Sequence, residues 1–401
     1  MIDLSRKMSF ETQARLLKKC TSKGLDLAEE LRKLGCAYDS LRYRDYPPVS
    51  IPYSNYETID DVKQPSNEVP FVSFFAGAGG IDIGFSAAGF THIASIEINQ
   101  LFCETLRYNN PNSFVVGPPI YSGDVRNHEE LNPILRLKAN ISTPFDGVFI
   151  GGPPCQPFSI AANQRFSKNG RNFKRIGFTH SEYGNLLFEY IRLINYFKPR
   201  VFLLENVTGL LDLDGGTQLT EAINSLKGSG YTVSAPQVLN SAKFGVPQTR
   251  MRLFVCGNRV SKKFAFPQPE PFPVPCIRVF EKPIENLENH VTREHFAASV
   301  LRYMELPYGK RDTLGRVDRL SPGLPSKTVI AGGTKGGGRS HLHPFTPRTL
   351  SVRECARLQT FPDSYVFLGP VARQFTQVGN AVPPLLSYRL ARAIYEQLFE
   401  K

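Results

Sequence analysis

The sequence predicts an α/β protein with a doubly wound, mostly parallel β-sheet. Two observations support this fold class. Short apolar stretches of strand length alternate with segments of helical spacing from Phe71 onward. The first of these stretches also leads directly into a glycine-rich turn, residues 76–80. Repeated strand–helix units form a parallel sheet with helices on both faces, and ligands bind at the carboxyl ends of its strands.

The pattern divides the chain into four segments. Residues 1–69 form an N-terminal extension with two short helices and a linker rich in Pro, Tyr and Asn. Residues 70–260 carry the strand–helix alternation. In residues 261–350 the alternation stops and Pro, Gly, Lys and Arg predominate, which predicts a smaller irregular domain. Helical spacing resumes in residues 351–401, and we expect this segment to return to the sheet domain.

Individual elements follow from apolar runs bounded by turn residues. The predicted strands are 71–75, 93–98, 145–150, 201–204 and 253–256, with Gly123-Asp124-Val125 closing a further unit. The predicted helices are 10–19, 25–34, 81–89, 186–197, 351–358 and 384–399.

The net charge of +12 is concentrated in one part of the chain. Residues 1–69 hold 11 basic and 11 acidic side chains, whereas residues 241–353 hold 19 Lys and Arg against 8 Asp and Glu, a surplus of 11. Such a basic segment favours a polyanionic partner, because Lys and Arg that neutralise phosphates release counterions. The balanced charge of the extension argues against a DNA-reading helix-turn-helix there and favours a structural role.

Composition narrows the class of protein further. No apolar run approaches the ~20 residues that a membrane-spanning helix needs, and the start of the chain lacks the apolar core of a secretory signal. The seven cysteines are scattered and form no CxxC pair, which fits reduced thiols better than disulfides or a zinc site. We therefore expect a soluble cytoplasmic monomer with no membrane contact and no bound metal.

One segment centres on a single cysteine. Residues 149–161 read FIGGPPCQPFSIA and follow a predicted buried strand. Prolines stiffen the backbone on both sides of Cys155. A thiol held rigidly at the end of a strand suits a nucleophile, but free cysteines are also often buried and inert. This segment by itself leaves both interpretations open.

The glycine-rich turn predicts a nucleoside site. A dinucleotide fingerprint that starts at Gly77 requires glycine at position 82, where the chain has Asp82, so a hydride-transfer enzyme loses its main support. Glu97 ends the second predicted strand and Asp124 the third. Carboxylates at these positions can accept hydrogen bonds from ribose hydroxyls and from an adenine amino group. Each could instead be the N-cap of a helix.

Several motifs then occur in a fixed order between residues 76 and 384. They are AGAGG, IEIN, GDV, GGPPCQPFS, ENV, QTRMR, RECARLQTFPD and QVGNAVPP. Together they resemble those of the DNA (cytosine-5) methyltransferases of bacterial restriction–modification systems. The resemblance extends from about Phe71 to the C-terminus, except for the variable residues 261–340. One departure is Ser73, because the family usually has Asp before this turn.

The resemblance implies a Rossmann-like catalytic domain that uses S-adenosylmethionine, a target-recognition domain at 261–350 and a covalent mechanism. Cys155 is implied to add to carbon 6 of cytosine, which activates carbon 5 toward the methyl group. Glu205 is implied to contact ring nitrogen 3, Arg252 to hold oxygen 2 and Arg250 to support the thiolate. Asn206 is expected to position the adjoining loop. The implied cofactor-binding residues are Phe75, Gly77, Gly79, Gly80, Glu97, Ile98, Asp124, Val125, Leu186, Asn380 and Val382.

The partner implied by the resemblance is duplex DNA with an extruded cytosine, so we expect the protein to associate with the nucleoid. Residues 163–177 carry five positive charges and no acid, and this predicts a loop that closes over DNA. The implied DNA-binding residues are Gln156, Ser159, Arg165, Lys168, Arg171, Gln248, Lys335 and Arg339. Gln248 can alternatively position the loop. A cognate restriction endonuclease is implied as a functional partner, but not as a stable complex.

Two other functions remain open from the sequence. The same chemistry on tRNA is the nearest, although the large basic region and the extension favour duplex DNA. A catalytically silent DNA-binding regulator belongs to a different class. The joint presence of Cys155, Glu205, Arg252 and Glu97 argues against that regulator.

Overall fold

The computed structural model describes residues 7–52, 56–154, 186–331 and 340–400. The helices in this part of the chain are α1 (Phe10–Lys23), α2 (Leu27–Lys33), α3 (Gly80–Ala87), α4 (Gln100–Asn109), α5 (His128–Pro133), α6 (Leu186–Phe197), α7 (Thr217–Gly228), α8 (Ala297–Tyr303), α9 (Val352–Leu358), α10 (Val371–Asn380) and α11 (Pro384–Leu398). The strands are β1 (Pro70–Phe74), β2 (Thr91–Ile96), β3 (Phe114–Val116), β4 (Val148–Gly151), β5 (Val201–Asn206), β6 (Thr232–Val233), β7 (Gln237–Asn240), β8 (Met251–Asn258), β9 (Arg311–Asp312), β10 (Val317–Arg319) and β11 (His341–Leu342).

The chain folds into two compact units. The sheet unit consists of Glu57–Gly245, Arg250–Pro271 and Ala381–Lys401. The helical unit consists of Met1–Tyr56, Val246–Thr249 and Phe272–Asn380. These units cut across the four sequence segments, because the extension belongs to the same unit as most of the irregular segment.

The sheet unit is built on one eight-stranded sheet in the order β3-β2-β1-β4-β5-β8-β6, with β7 also paired to β8. Strands β1 to β5 run parallel, whereas β8 is antiparallel to β5, β6 and β7. This confirms the predicted doubly wound, mostly parallel α/β fold. The antiparallel edge was not predicted, since β6 and β7 are too short to give an apolar pattern.

Buried aromatic residues on the parallel strands and on α6 form the core of the sheet unit. Phe149 packs between Phe74 and Phe197, with ring centroids 4.9 Å and 5.9 Å away. Tyr190 of α6 lies 5.6 Å from Phe74 and donates a hydrogen bond to the Leu203 carbonyl at 3.2 Å. The amphipathic helix predicted at 186–197 therefore covers the centre of the sheet, as the apolar spacing required.

The helical unit holds the extension by an apolar core of its own. Leu17 and Cys20 of α1 and Leu31 of α2 are buried with Val300 of α8 and Met304. The smaller sheet of this unit runs in the order β11-β10-β9. Helix α1 packs on α8, and α2 contributes to the same core, which supports the structural role that the balanced charge favoured.

Two assignments differ from the sequence prediction. The third parallel strand is β3, which ends at Val116, so Asp124 lies in a loop and not at a strand end. The irregular segment also contains helix α8, which has no regular apolar repeat to indicate it. Within the described residues, no helix combines the length and the apolar character needed to cross a membrane.

Candidate active site

The candidate site lies at the carboxyl ends of the parallel strands. The strand order reverses between β1 and β4, because β2 and β3 lie on one side of this pair and β5 on the other. Connections from β1 and β4 therefore leave in opposite directions and open a crevice, which is the usual ligand site of such sheets. We call the residues on the β1 side (the turn at 76–80, Glu97, Ile98 and Asp124) the nucleoside cluster, and those on the β4 side (Gly152, Glu205, Arg250 and Arg252) the reactive cluster.

The glycine-rich turn brings two distant parts of the sheet unit together. Phe75, Gly77 and Gly79 have positive φ angles of 56°, 57° and 72°, which fold the chain sharply between β1 and α3. A methyl carbon built on Gly80 would lie 2.3 Å from the Val382 carbonyl oxygen, so only glycine permits this approach. The C-terminal helix α11 lies beside this turn and brings Val382 to it. Residues 351–380, which were also expected to return to the sheet domain, belong to the helical unit instead.

Glu97 connects the turn to the end of β2. One carboxylate oxygen accepts the Gly77 backbone N–H at 2.8 Å, and the other accepts the Asn99 N–H at 2.8 Å. The side chain is buried, and burial raises the pKa of Glu97, opposed by the hydrogen bonds from Asn99 and Gly77. The Ile98 N–H also hydrogen-bonds this carboxylate. A carboxylate can accept about four hydrogen bonds, so three backbone donors leave capacity for a hydroxyl donor. Glu97 is not a helix N-cap, because Asn99 caps α4.

Apolar side chains lie next to these polar groups. Ile98, directly after Glu97, is 55% exposed although it is aliphatic. Val125, Leu186 and Val382 are buried in the same unit. An exposed isoleucine beside a hydrogen-bonding carboxylate suits the face of a flat heterocycle next to its ribose.

Asp124 is held by its own loop. A methyl carbon on Gly123 would lie 2.1 Å from the Glu97 carbonyl oxygen, so this loop packs directly on the end of β2. The Asp124 carboxylate forms an ion pair with Arg126, with 2.7 Å between Oδ2 and Nη2. The hydrogen bond from Arg126 lowers the pKa of Asp124. Asn127, and not Asp124, is the N-cap of α5.

The nucleoside cluster fits an adenosine group. Its turn is closely approached by backbone, Glu97 has spare acceptor capacity, and Ile98 presents an exposed apolar surface. These are the features that S-adenosylmethionine would use: Glu97 would hold the ribose hydroxyls and Asp124 the amino group.

In the reactive cluster, the loop after β4 is tied to the end of β5. Strands β4 and β5 are parallel, with Gly151 opposite Leu204. A methyl carbon on Gly152 would lie 2.8 Å from Oε2 of Glu205, so the loop passes directly over this carboxylate. Asn206 is buried and its side-chain amide donates to the Pro153 carbonyl at 3.3 Å. Asn206 thus has the loop-positioning contact that was expected of it.

Glu205 and Arg252 form the central ion pair of the reactive cluster. Nε of Arg252 lies 3.0 Å from Oε1 of Glu205, and the two side chains are 18% and 14% exposed. Burial raises the pKa of Glu205, and the charges of Arg252 and Arg250 oppose this effect. The carboxyl group can therefore exchange a proton more readily near neutral pH than an ordinary glutamate.

The backbone of Arg250 is fixed by the neighbouring strand β7 and the turn that follows it. Its N–H donates to Oδ1 of Asn240 at 3.2 Å, and its carbonyl accepts the Ser241 N–H at 2.9 Å and the Ser241 hydroxyl at 3.2 Å. Arg250 is buried, Met251 is exposed and Arg252 is partly buried. The two arginines thus lie on the same side of the extended chain, as predicted.

Comparison with known proteins agrees with this geometry. The model of the family "C-5 cytosine-specific DNA methylase" matches residues 69–396. The chain belongs to this family. The predicted enzyme class, a DNA cytosine-5 methyltransferase, is thereby confirmed.

Curated relatives of this methylase span nearly the same length. The methylase is 33% identical over 361 residues to the Type II methyltransferase M.NgoFVII of Neisseria gonorrhoeae. This alignment covers 84% of the methylase and 89% of M.NgoFVII. The methylase is 32% identical over 344 residues to M1.HphI of Haemophilus parahaemolyticus, with 81% and 86% covered. The crystal structure of a DNA modification methyltransferase encoded in an E. coli prophage superposes on the methylase with a TM-score of 0.66 at 24% sequence identity. The superposition covers 83% of the methylase and the whole of the prophage chain, which shows that the two share a fold.

Some predicted site residues lie outside the described part of the methylase. These are Cys155, Gln156, Ser159, Arg165, Lys168 and Arg171 in residues 155–185, and Lys335 and Arg339 in residues 332–339. Their roles stay predictions from the motifs. Asn380 is the last residue of α10 and belongs to the helical unit.

The structure corrects the DNA-binding role of Gln248. This side chain is 0% exposed. Its Oε1 accepts the Val329 N–H at 2.7 Å, and its Nε2 donates to Oε1 of Gln359 at 2.8 Å. Gln359 in turn donates to the Val378 carbonyl at 2.7 Å. A fully buried amide that is used at both ends cannot read DNA, so Gln248 takes the alternative role of positioning the chain.

Sequence reasoning missed two positioning residues, Asn240 and Ser241. They precede the QTRMR motif and sit at the end of a strand that the apolar pattern did not predict. An Asn-Ser pair before a glycine- and proline-containing turn is the signal that was available. Within the described residues, no group of three or more His, Cys, Asp or Glu could hold a metal ion.

Proposed function

We propose that this methylase transfers a methyl group from S-adenosylmethionine to carbon 5 of a cytosine extruded from duplex DNA, through a transient bond between Cys155 and carbon 6. The observation that carries the proposal is the contact of Glu205 with Gly152. It sets a carboxyl group and its arginine directly beside the loop that leads to the cysteine.

Activation of the ring requires charge to be accepted at two ring atoms. When the Cys155 thiolate bonds to carbon 6, electron density moves onto nitrogen 3 and oxygen 2 of cytosine. A protonated Glu205 can donate to nitrogen 3, because burial raises its pKa. Arg252 can donate to oxygen 2, and the buried charge of Arg250 favours the thiolate over the thiol. Once carbon 5 carries the methyl group, solvent water takes the carbon 5 proton, the double bond between carbons 5 and 6 re-forms, and the sulfur leaves carbon 6 with the bonding electron pair as a thiolate.

Bound S-adenosylmethionine supplies an electrophilic methyl group on a sulfonium centre. The residues of the nucleoside cluster would bind and orient it: Glu97 would accept from the ribose, Ile98 would pack on the adenine and Asp124 would accept from its amino group. Phe75, Gly77, Gly79, Gly80, Val125, Leu186 and Val382 would line the rest of this site, and the motif match adds Asn380.

The partner is duplex DNA in this proposal. The basic surplus of residues 241–353 supports a polyanion, and Arg165, Lys168 and Arg171 together with Gln156 and Ser159 would contact DNA around the extruded base. Lys335 and Arg339 would contribute from the recognition segment. By analogy with Type II relatives, methylation would protect DNA from a restriction endonuclease of the same specificity.

A mechanism-based trap tests the chemistry. Duplex oligonucleotides that carry 5-fluorocytosine should form an adduct with the methylase that survives denaturation and maps to Cys155, because fluorine at carbon 5 blocks release. Cys155→Ser is the matched control and should give no adduct. An adduct at another residue, or equal methyl transfer by the serine variant, would contradict the covalent scheme.

A substrate comparison separates DNA from RNA. Labelled methyl groups should enter duplex DNA and not tRNA, and bisulfite sequencing of DNA from expressing cells would then give the modified sequence. Incorporation into tRNA alone would exclude the DNA substrate while leaving the chemistry intact.

A further inference from the structure

The carboxylate of Asp124 accepts hydrogen bonds from a neighbouring side chain, that of Arg126. Arg126 follows Asp124 by two residues and makes four contacts with its carboxylate. Its backbone N–H donates to Oδ1 at 2.9 Å, and its Nε lies 2.9 Å from Oδ1 and 3.1 Å from Oδ2. Its Nη2 donates to Oδ2 at 2.7 Å. The guanidinium therefore binds both oxygens side by side, which is the strongest geometry available to an arginine–carboxylate pair.

These contacts use the acceptor capacity of Asp124. A carboxylate has about four lone-pair sites, and Arg126 directs three N–H groups at them, one of which is shared between the two oxygens. A further donor must displace part of the guanidinium. The Gly123 contact with the Glu97 carbonyl fixes the backbone of this loop, so Asp124 stays next to the end of β2.

The ion pair between Asp124 and Arg126 is also exposed enough for another donor to replace the guanidinium. The Asp124 side chain is 23% exposed and that of Arg126 is 44% exposed. Exposed ion pairs contribute little net free energy because both partners regain hydration when they separate. A ligand amino group of suitable geometry can therefore replace the guanidinium.

We propose that Arg126 is a positioning residue that competes with the nucleoside for Asp124 and so sets both the affinity for the adenine end of the ligand and the discrimination between 6-amino and 6-oxo purines. This inference rests on the proposed S-adenosylmethionine site. When the amino group of adenine takes the carboxylate, Arg126 is displaced. When a purine carries oxygen at carbon 6, Arg126 stays in place and can donate to that oxygen.

The competition has two consequences that simple structural support would not have. Removal of Arg126 should strengthen binding of the amino ligand, since no internal donor remains to be displaced. The same change should weaken binding of the 6-oxo ligand, which loses a donor and meets an unshielded carboxylate. Affinity therefore changes in opposite directions for two ligands that differ in the group on carbon 6 and in the proton on nitrogen 1.

Titration calorimetry of the full-length protein tests this with S-adenosylhomocysteine and its deaminated analogue S-inosylhomocysteine. Arg126→Ala should bind S-adenosylhomocysteine about two- to fivefold more tightly, the factor by which one exposed ion pair changes an equilibrium. It should bind S-inosylhomocysteine more weakly than wild type. Added KCl should narrow the difference between wild type and Arg126→Ala for the amino ligand, because salt screens the internal pair. Arg126→Gln keeps a neutral donor, so its affinity for each ligand should lie between those of wild type and Arg126→Ala.

Arg136→Ala is the matched control, because Arg136 is an exposed arginine of the same unit that contacts the Tyr196 hydroxyl at 3.5 Å. It should change neither affinity. Equal or weaker binding of S-adenosylhomocysteine by Arg126→Ala, with wild-type binding intact, would overturn the competition and leave the proposed function standing. Absence of S-adenosylhomocysteine binding in the wild type would overturn the proposed cofactor, and the competition with it.

Discussion

At the scale of single residues, Glu205 combines two opposing influences. Burial disfavours its charged form and raises its pKa, while Arg252 at 3.0 Å and Arg250 favour the charged form. Burial is the larger effect, so the folded protein holds this carboxyl group in a state that costs stability at neutral pH. Active-site groups are often tuned in this way at the expense of the fold.

The pH dependence of stability should reveal this cost. Since the folded pKa of Glu205 is raised, the stability it contributes is present below its unfolded pKa of about 4.5 and is lost as pH rises through the folded value. The glutamine in the Glu205→Gln variant does not titrate. The unfolding free energy of this variant should therefore rise relative to that of wild type as the pH increases from the unfolded pKa of Glu205 through its raised folded pKa, by about 1.4 kcal/mol for each pH unit between the two. Urea unfolding at both ends of this range measures the gain.

Glu221→Gln serves as the control for this experiment, because Glu221 lies on the exposed surface of α7. Its difference from wild type should stay flat across the range. If the unfolding free energy of Glu205→Gln relative to wild type does not rise with pH, or rises as the pH falls, the charges of the two arginines outweigh burial.

Ser73 shows how the structure accommodates a departure from the family pattern. Its buried hydroxyl donates to the Ser95 hydroxyl at 3.3 Å, and Ser95 donates to Oδ2 of Asp82 at 2.8 Å. An aspartate at position 73 would place a second anion one hydrogen bond away from Asp82. Serine instead continues the donor chain toward a buried carboxylate that is already present.

At the scale of elements, the glycine-rich turn at residues 76–80 depends on the docking of α11 against α3. The Ser387 hydroxyl of α11 donates to the Ile81 carbonyl at 2.8 Å. A methyl carbon on Gly84 would lie 2.5 Å from the Pro384 carbonyl oxygen, so the two helices meet backbone to backbone. This close packing explains why glycines recur on the buried side of α3, which their role in the turn does not require.

Gly80→Ala should therefore disturb both stability and ligand binding. Its new methyl carbon would collide with the Val382 carbonyl at 2.3 Å, and backbone atoms have to move to relieve the contact. Overpacking of this kind costs about 1–3 kcal/mol. We expect a lower Tm and weaker S-adenosylhomocysteine binding, measured by calorimetry.

Gly228→Ala provides the comparison, because a methyl carbon at this last residue of α7 meets nothing within 4 Å. It should leave binding unchanged and stabilise the helix by up to about 1 kcal/mol. Equal effects of both substitutions would show that the contact with Val382 does not hold the turn.

At the scale of the whole molecule, the extension is part of the helical unit. Arg319 of β10 is buried, with its guanidinium 3.6 Å from the ring centroid of Tyr43 and 4.0 Å from that of Tyr308. It also donates to the carbonyls of Asp45 and Leu306, at 3.2 Å and 2.7 Å. The extension thus supplies one of the aromatic rings and one of the carbonyl acceptors that compensate this buried charge.

Removal of residues 1–56 should affect the functions of the two units differently. The shortened chain should lose order in the helical unit and lose duplex DNA binding, because α8 and Arg319 lose their partners. The sheet unit keeps all residues of the nucleoside cluster, so S-adenosylhomocysteine affinity should change less than about twofold. Hydrogen exchange and calorimetry on the same samples measure both outcomes.

Leu17→Ala is the milder test of the same point, since Leu17 is fully buried and its truncation costs about 2–5 kcal/mol. It should raise hydrogen exchange in the helical unit first. Loss of S-adenosylhomocysteine binding in either variant would mean that the extension supports the nucleoside cluster directly.

The sequence predicted the fold class and the parallel strands because buried apolar runs and helical spacing are local signals. It also predicted that Glu97, Arg250 and Arg252 belong to the site. It misplaced Asp124 at a strand end, since β3 is three residues long and the loop after it is stabilised by contact with Glu97. It assigned Gln248 to DNA because a glutamine beside two arginines gives no sign of burial.

The amino-acid sequence alone predicted the enzyme class of this methylase, because a cysteine, a carboxylate and two arginines in a fixed motif order are typical of one reaction type, and the family match confirms that class. Tertiary structure alone decided which distant partner each group has: Arg252 pairs with Glu205, and Gln359 pairs with Gln248. Hydrogen bonds and ion pairs depend on angstrom-scale distances between segments that packing brings together, and no local pattern of residues encodes those distances.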